Sequence, residues 1–459
     1  MKLFAFYLLN LLFFFALTCC KSDMSAGYQV TMAVPVEYIE GFAGRAFLME
    51  TEKMQVNFRT ALSVEAVDGR YSCSLNVFLA SVKVWNSGHR SKFYTTDLCV
   101  LELTKKGDLH LKGPNERVGW RTGTSGQGVE KLQLLESGNL VLVDAMARIK
   151  WQTFNFPTDV LLQGQRLSVA TQLTTIPKNT TYFYSFEIQH DNIALYLNSG
   201  KNKYSYWEFQ PSKGRNITFI KLTSRGFELF DGKFRKFAQI LSQQLEPVRF
   251  LALENDTGNL GLYHYSAYNN KFEASFQALN TACDLPLKCA PYDICTLTNG
   301  CLCIRLLVED ENMGFDCPGG AREGLCGGRQ AEMLELEDAG SVLRSSSTKV
   351  NVSKEACASI CLNDCNCVAA LYSLKKGDTN MQVCSFYDLV NGVKQMNRGS
   401  GLSYLVKVPK REGGVHRKTS LRKWVMILVV VADGVVLFLV LAGLGYYMIW
   451  KRRKRLSNS

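Results

Sequence analysis

Sixteen cysteines, and the way they are grouped, restrict this chain more than any other feature. Cys19 and Cys20 close an N-terminal segment laid out as a secretory signal peptide (residues 1–20). It has a charged start at Lys2, an apolar run from Leu3 to Leu17, and small residues ahead of Lys21-Ser22-Asp23. Removing it leaves an even number of cysteines in an oxidising compartment, where a disulfide framework is expected. Cys73 and Cys99 are the only cysteines from there to residue 283, so if both are oxidised they pair with each other. Closing a loop of that size contributes about 3 kcal/mol. Cys283, Cys289, Cys295, Cys301, Cys303 and Cys317 then crowd into a segment too short to bury a core without bridges. Their spacing alone leaves the pairing open. Clustered thiolates suit zinc in a reducing cell but are oxidised in the secretory lumen. Leu279-Asn280-Thr281-Ala282, ahead of the first cysteine, offers no acidic ligand for calcium. No metal or other cofactor is expected.

A second apolar stretch runs from Trp424 to Trp450 with Asp433 as its one charge, and it is long enough to cross a bilayer as a helix. Lysines and arginines flank it on both sides, so the positive-inside rule does not orient it. The signal peptide, the cysteines and the sequons at Asn179, Asn216, Asn255 and Asn351 place residues 21–423 outside. Residues 408–423 read as a basic stalk and 451–459 as a cytosolic tail too short for a catalytic domain. A carboxylate in mid-bilayer is costly, so Asp433 points to a contact with a membrane partner. A protonated Asp bonded within the helix, or in a self-associated pair, is an equal reading. The formal charge of +12 comes mostly from residues 410–459, while residues 21–409 are close to neutral. The basic balance therefore belongs to the membrane collar, and no nucleic-acid partner is expected.

Residues 28–280 show short alternating apolar runs punctuated by Gly, Asn and Asp, an all-β pattern. One unit recurs as Lys106-Gly107-Asp108-Leu109-His110-Leu111, Ser137-Gly138-Asn139-Leu140-Val141-Leu142 and Thr257-Gly258-Asn259-Leu260-Gly261-Leu262. The Gly-Asx pair suits the positive-φ positions of a tight turn, and the Leu-x-Leu places two side chains on one face of the outgoing strand. Such hairpins, repeated, build a prism or a barrel. Near the C-terminus, Ser353 is placed to cap a helix carrying Cys357 and Cys361 one turn apart.

Trp151-Gln152-Thr153-Phe154-Asn155-Phe156-Pro157-Thr158-Asp159-Val160-Leu161-Leu162-Gln163-Gly164-Gln165 closely resembles the segment that ends the bulb-type lectin domain of plant S-domain (G-type lectin) receptor-like kinases and S-locus glycoproteins. Leu135 to Leu142 and Leu253 to Tyr263 resemble further segments of that family, and the likeness continues to about residue 406. It implies a mainly β ectodomain. A bulb-type lectin-like domain (28–165) and a second lectin-like, S-locus glycoprotein-like β domain (166–280) form tandem β-prisms. A disulfide-rich EGF-like module (281–317) and a small α+β PAN/apple domain (326–407) follow. The resemblance also implies the bridges Cys283 to Cys295, Cys289 to Cys301, Cys303 to Cys317, Cys357 to Cys384 and Cys361 to Cys367, which leaves Cys326 with Cys365.

Bulb-type lectins hold mannose with Gln-x-Asp-x-Asn-x-Val-x-Tyr on one strand. Aligned on Asn139, this chain offers Leu135, Ser137, Asn139, Val141 and Val143, so only Asn139 and Val141 match as carbohydrate-binding candidates, and the missing donors and acceptors favour a purely structural Asn139 in its turn. The positions around Asp108 are Thr104, Lys106, Asp108, His110 and Lys112, a poorer match. No hydrolase motif and no kinase signature is present, so no enzyme is expected. The resemblance implies a kinase-less family member, similar to plant PAN domain-containing membrane proteins. It is expected at the plasma membrane as a single-pass type I glycoprotein. Its expected role is non-catalytic recognition, as a co-receptor or decoy for an S-domain receptor kinase, with a glycan or protein ligand, a receptor kinase or another copy as partner. The alternative is a diverged carbohydrate-binding lectin.

Overall fold

The computed structural model of the chain describes residues 23–52, 56–176, 182–211, 215–304, 331–375 and 381–409. The first half begins with β1 (Asp23–Ser25), β2 (Gln29–Ala33), β3 (Ala43–Glu50), β4 (Phe58–Val67), β5 (Arg70–Leu79) and β6 (Val82–Asn86). It continues with β7 (Phe93–Thr95), β8 (Leu98–Leu103), β9 (Leu109–Lys112), β10 (Val118–Arg121), β11 (Val129–Leu134), β12 (Leu140–Asp144) and β13 (Ile149–Gln152). These strands make three antiparallel sheets: sheet A, ordered β1-β11-β12-β13; sheet B, ordered β2-β8-β9-β10; and sheet C, ordered β3-β4-β5-β6, with β7 pairing β5. The period-two alternation of each strand turns one face inward. Leu62, Val64, Leu75, Val77, Leu101, Leu109, Leu132 and Leu142 thus meet in one core. The last strand of each sheet contributes one tryptophan, and Trp85, Trp120 and Trp151 pack edge to face with centroids 5.9 to 6.2 Å apart. Offset and edge-on ring pairs of this kind add to the burial of area alone. Cys73 on β5 is bonded to Cys99 on β8 and ties sheet C to sheet B.

The same layout then repeats. Strands β14 (Val160–Leu162), β15 (Arg166–Ser168) and β16 (Gln172–Thr174) are three residues each, and each begins a different sheet. The rest are β17 (Tyr182–Ile188), β18 (Ile193–Ser199), β19 (Asn202–Phe209), β20 (Phe219–Thr223), β21 (Gly226–Phe230), β22 (Lys236–Leu241), β23 (Val248–Leu253), β24 (Leu260–Ser266) and β25 (Lys271–Gln277). The sheet orders are β14-β23-β24-β25, β15-β20-β21-β22 and β16-β17-β18-β19. By pairing, Val160–Leu162 belongs with the second trio, ahead of the expected 165/166 boundary, because Leu161 lies opposite Leu251. Strand alternation also makes this sheet a shared wall. Val160, Leu162 and Phe250 face the first core, whereas Leu161 and Leu251 face the second.

The C-terminal part holds β26 (Asp293–Cys295), β27 (Cys301–Cys303), β28 (Ala331–Glu337), β29 (Ala339–Ser341), β30 (Thr348–Val350), helix α1 (Lys354–Asn363), β31 (Ala369–Lys375), β32 (Met381–Tyr387), β33 (Val393–Gln395) and β34 (Leu402–Pro409). Ser353 caps α1 by accepting the Ala356 N–H at 3.3 Å. Its inward face carries Cys357, bonded to Cys384, and Cys361, bonded to Cys367. Cys283 is bonded to Cys295 and Cys289 to Cys301. Cys303 and Cys365 are also disulfide-bonded, and their expected partners Cys317 and Cys326 lie outside the described residues. This part shares one core with the second trio. Tyr204 stacks on Tyr387, its hydroxyl donates to Asp388 at 2.6 Å, and Arg344 pairs with Glu208 at 3.0 Å. Among the described residues no helix is long and apolar enough to cross a membrane. The signal segment, the stalk beyond Pro409, the span at 424–450 with Asp433, the tail, and Asn179 all lie outside the described residues, while residues 408–409 of the expected stalk end β34.

Candidate recognition cleft

The expected sugar-binding pair is committed to the scaffold. Asn139 is 5% exposed: its amide nitrogen donates to Gln152 at 2.8 Å, and its oxygen accepts from the Thr153 hydroxyl at 3.1 Å and the Phe154 N–H at 3.2 Å. Val141 is 1% exposed, and Val143 beside it is buried. A mannose hydroxyl would have to displace these bonds. The two other repeats use the corresponding residue in the same way. Asp108 accepts from the Thr122 hydroxyl at 2.8 Å, the Thr124 N–H at 3.0 Å and the His110 ring at 2.9 Å. Burial opposes its ionisation, but these donors outweigh it and hold the carboxyl below its usual range. Asn259 accepts the Leu279 N–H at 3.0 Å and donates to the Leu279 carbonyl at 2.8 Å. In each repeat the Asx side chain staples its hairpin to the chain that follows.

The turn itself differs from the expectation. Only the glycines take positive φ, +82° at Gly107, +80° at Gly138 and +72° at Gly258, while the Asx residues stay in ordinary backbone regions. A Cβ at Gly138 would lie 2.4 Å from the Phe58 ring, and one at Gly258 2.5 Å from the Tyr184 ring. Conformation and close approach both require glycine there.

What the first trio leaves open is a cleft of about 400 Å³ over sheet C, inside the size range of ligand pockets. The outward positions of β5 supply Ser72 and Ser74, with Asp68 in the turn before it; Glu65 and Val67 come from β4, and Lys83 and Asn86 from β6. Lys92 lies beyond β6, and Ile176 and Asn255 reach in from the second trio. Tyr71, Cys73 and Leu75, the alternate residues of β5, face the core, so the strand presents hydroxyls on one side and apolar groups on the other. Each lysine has its own carboxylate: Lys83 pairs with Glu65 at 2.8 Å and Lys92 with Asp68 at 3.1 Å. Tyr94 donates to the same Asp68 at 3.3 Å, and its ring carries the Arg70 guanidinium at 3.8 Å. The cleft is therefore balanced in charge and rich in directional donors and acceptors. Beside Ser74, on the same face of sheet C, the amide nitrogen of Asn76 and the hydroxyl of Ser63 are buried with no hydrogen-bond partner among the described residues. Unpaired buried polar atoms of this kind are uncommon and mark places to look for a ligand or ordered water.

The loop between β6 and β7 seats this face on the second trio. His89 lies 3.0 Å from the Thr174 hydroxyl, and burial pushes its imidazole pKa down while Asp159 pulls it up. Of the cleft residues, Asn255 belongs to a motif, its sequon, and the others to none. The usable signal was Ser72-Cys73-Ser74, hydroxyls at alternate positions after the turn glycine Gly69. Of the sequon asparagines, Asn216, Asn255 and Asn351 are exposed, and Asn351 has φ of +56°.

Comparison with known proteins agrees with the resemblance read from Trp151 to Gln165. The profile for D-mannose binding lectin matches residues 83–181, and that for a PAN-like domain matches residues 337–408. A G-type lectin S-receptor-like serine/threonine-protein kinase of Arabidopsis thaliana is 23% identical over 72% of this chain and 41% of its own length. A PAN domain-containing protein of the same plant is 25% identical over 68% of this chain and 60% of its own. EP1-like glycoprotein 4, also from Arabidopsis thaliana, is 26% identical over 64% of this chain and 71% of its own. The chain spans about half the length of the curated relatives it matches. A monomeric monocot mannose-binding lectin from Gastrodia elata is similar at 19% identity and a TM-score of 0.19, over 29% of this chain and 96% of that one.

Proposed function

We propose that this chain is a non-catalytic recognition glycoprotein of the cell surface whose cleft over sheet C takes a neutral carbohydrate. The observation that supports it is the pairing inside the cleft. Both lysines are matched by carboxylates, so an anionic ligand gains little, whereas a polyhydroxylated ring can exchange hydrogen bonds with Ser72, Ser74, Asp68 and Asn86 and rest on Val67 and Ile176. Asn139 and Val141 stay structural in this reading. Each trio of sheets is a lectin-like prism, the first ending near Gln152 and the second running from Val160 to Gln277. An EGF-like and a PAN-like part follow, and the segment at 424–450 anchors them. Glycan-array binding of residues 21–409, wild type against Asp68→Ala and Ser72→Leu, tests the reading. Both variants should lose at least about tenfold in binding, equivalent to about 1.4 kcal/mol. Variants that bind like wild type would overturn it.

The receptor-kinase relatives support a second reading, in which the chain is a co-receptor or decoy and Asp433 contacts a membrane partner. Affinity capture from membranes distinguishes the two readings. A receptor kinase that is lost with Asp433→Leu but kept with Asp68→Ala favours the co-receptor.

A further inference from the structure

We infer that Asn255 carries an N-linked glycan whose first sugars lie across the mouth of the sheet C cleft, so that the protein partly occupies its own recognition site. This rests on the carbohydrate reading of that cleft. Asn255-Asp256-Thr257 is a sequon, and Asn255 is exposed. Of the three described sequon asparagines, only Asn255 is among the residues lining the cleft. Its side chain is already oriented, because its oxygen accepts the Ile176 N–H at 3.0 Å and its amide nitrogen donates to Asp159 at 3.0 Å. Glycosylation forms a bond from Nδ2 to C1 of the sugar and breaks the C1–O bond to a lipid-linked diphosphate donor. The amide gives up one proton and the lipid diphosphate leaves. The substituted amide keeps one N–H for Asp159 and its carbonyl for Ile176, so the modification is compatible with both contacts.

A sugar fixed at the rim has an effective concentration in the millimolar range or above. A site whose Kd for free sugar is about a tenth of that effective concentration would be mostly filled by the tether, and free ligand would then bind roughly tenfold more weakly. The bound chain would also cover the amines of Lys83 and Lys92, both of which line the cleft.

The test uses the protein secreted from a glycosylating host. Glycopeptide mass spectrometry reads occupancy at Asn255, and an endoglycosidase that leaves one sugar trims the glycan without changing the polypeptide. Acylation of Lys83 and Lys92 and titration with mannopentaose are then compared before and after trimming. The expected result is an occupied Asn255, at least fivefold faster acylation of both lysines after trimming, and mannopentaose bound about tenfold more tightly. Thr257→Ala, which removes the sequon and leaves Asn255 in place, should match the trimmed protein; if it does not fold, trimming alone decides. An unmodified Asn255, or lysine reactivity unchanged by trimming, overturns the inference. Equal mannopentaose binding before and after trimming also overturns it while leaving the carbohydrate reading intact. Lysines unmasked by trimming with no sugar bound in either form support the tethered glycan and sink the carbohydrate reading instead.

Discussion

Asn139→Ala separates a structural Asn139 from a ligand-binding one. The substitution removes three hydrogen bonds, to Gln152, Thr153 and Phe154. It leaves the Phe154 N–H and the Thr153 hydroxyl without that acceptor in a buried corner. Thr153 in turn accepts the Leu140 N–H at 3.0 Å, so the loss extends into β12. At about 1 kcal/mol per bond, the cost is about 3 kcal/mol. For a folding unit of this size each kcal/mol moves the unfolding midpoint by about 2–4 °C, which gives a fall of about 6–12 °C. Thermal unfolding followed by circular dichroism measures it, and sugar binding by the folded fraction should be unchanged. A midpoint within about 1 °C of wild type, together with lost sugar binding, would refute the staple and restore Asn139 as a ligand.

Replacing both Cys73 and Cys99 by serine opens the 26-residue loop and should cost about 3.5 kcal/mol in urea unfolding; an unchanged midpoint would contradict the bridge between sheets B and C. Gly258→Ala meets both a left-handed φ and the Tyr184 ring and should cost about 2–5 kcal/mol, whereas Gly164→Ala, at φ of +88° with open space around it, should cost about 1–2 kcal/mol. Equal losses by denaturant titration would remove the packing half of the argument. Asp108 and Asp144 contribute to the acid limb. Burial opposes ionisation of both, yet hydrogen bonds to Asp108, and from Arg148, Lys150 and the Met146 N–H to Asp144, hold their carboxyls low. Their folded pKa values lie below the unfolded value of about 3.9, so their stabilisation is complete above that pH and is lost as the pH falls through the folded values. Asp108→Asn should flatten the decline below about pH 4, and an unchanged slope would exclude Asp108 as a contributor.

The β character, the recurrent hairpins and the capped helix were legible because they rest on local signals: alternation, turn glycine and Ser353. The hydrogen-bond partners of Asn139 were not, since nothing in Gly138-Asn139-Leu140 says which way the amide points. Its partners at Gln152, Thr153 and Phe154 come together only when β12 and β13 pair. Val160–Leu162 is continuous in sequence with Trp151, while its pairing partner, β23, lies far along the chain. The cleft is less local still. Asp68, Lys83 and Asn255 belong to three separate segments, and Asn255 arrives from the second trio. Residues of separate strands and turns, with Ser72 and Ser74 only 7% and 3% exposed, become a site there only once the fold brings them together.

The most direct test of the cleft is a titration of mannopentaose into the isotope-labelled ectodomain, residues 21–409 with its glycans trimmed, followed by amide chemical shifts. The account predicts shifts concentrated at Asp68, Ser72, Ser74 and Asn86, with Asn139 to Val143 unmoved. Shifts concentrated at Asn139 to Val143, or no shifts in either place, would contradict it.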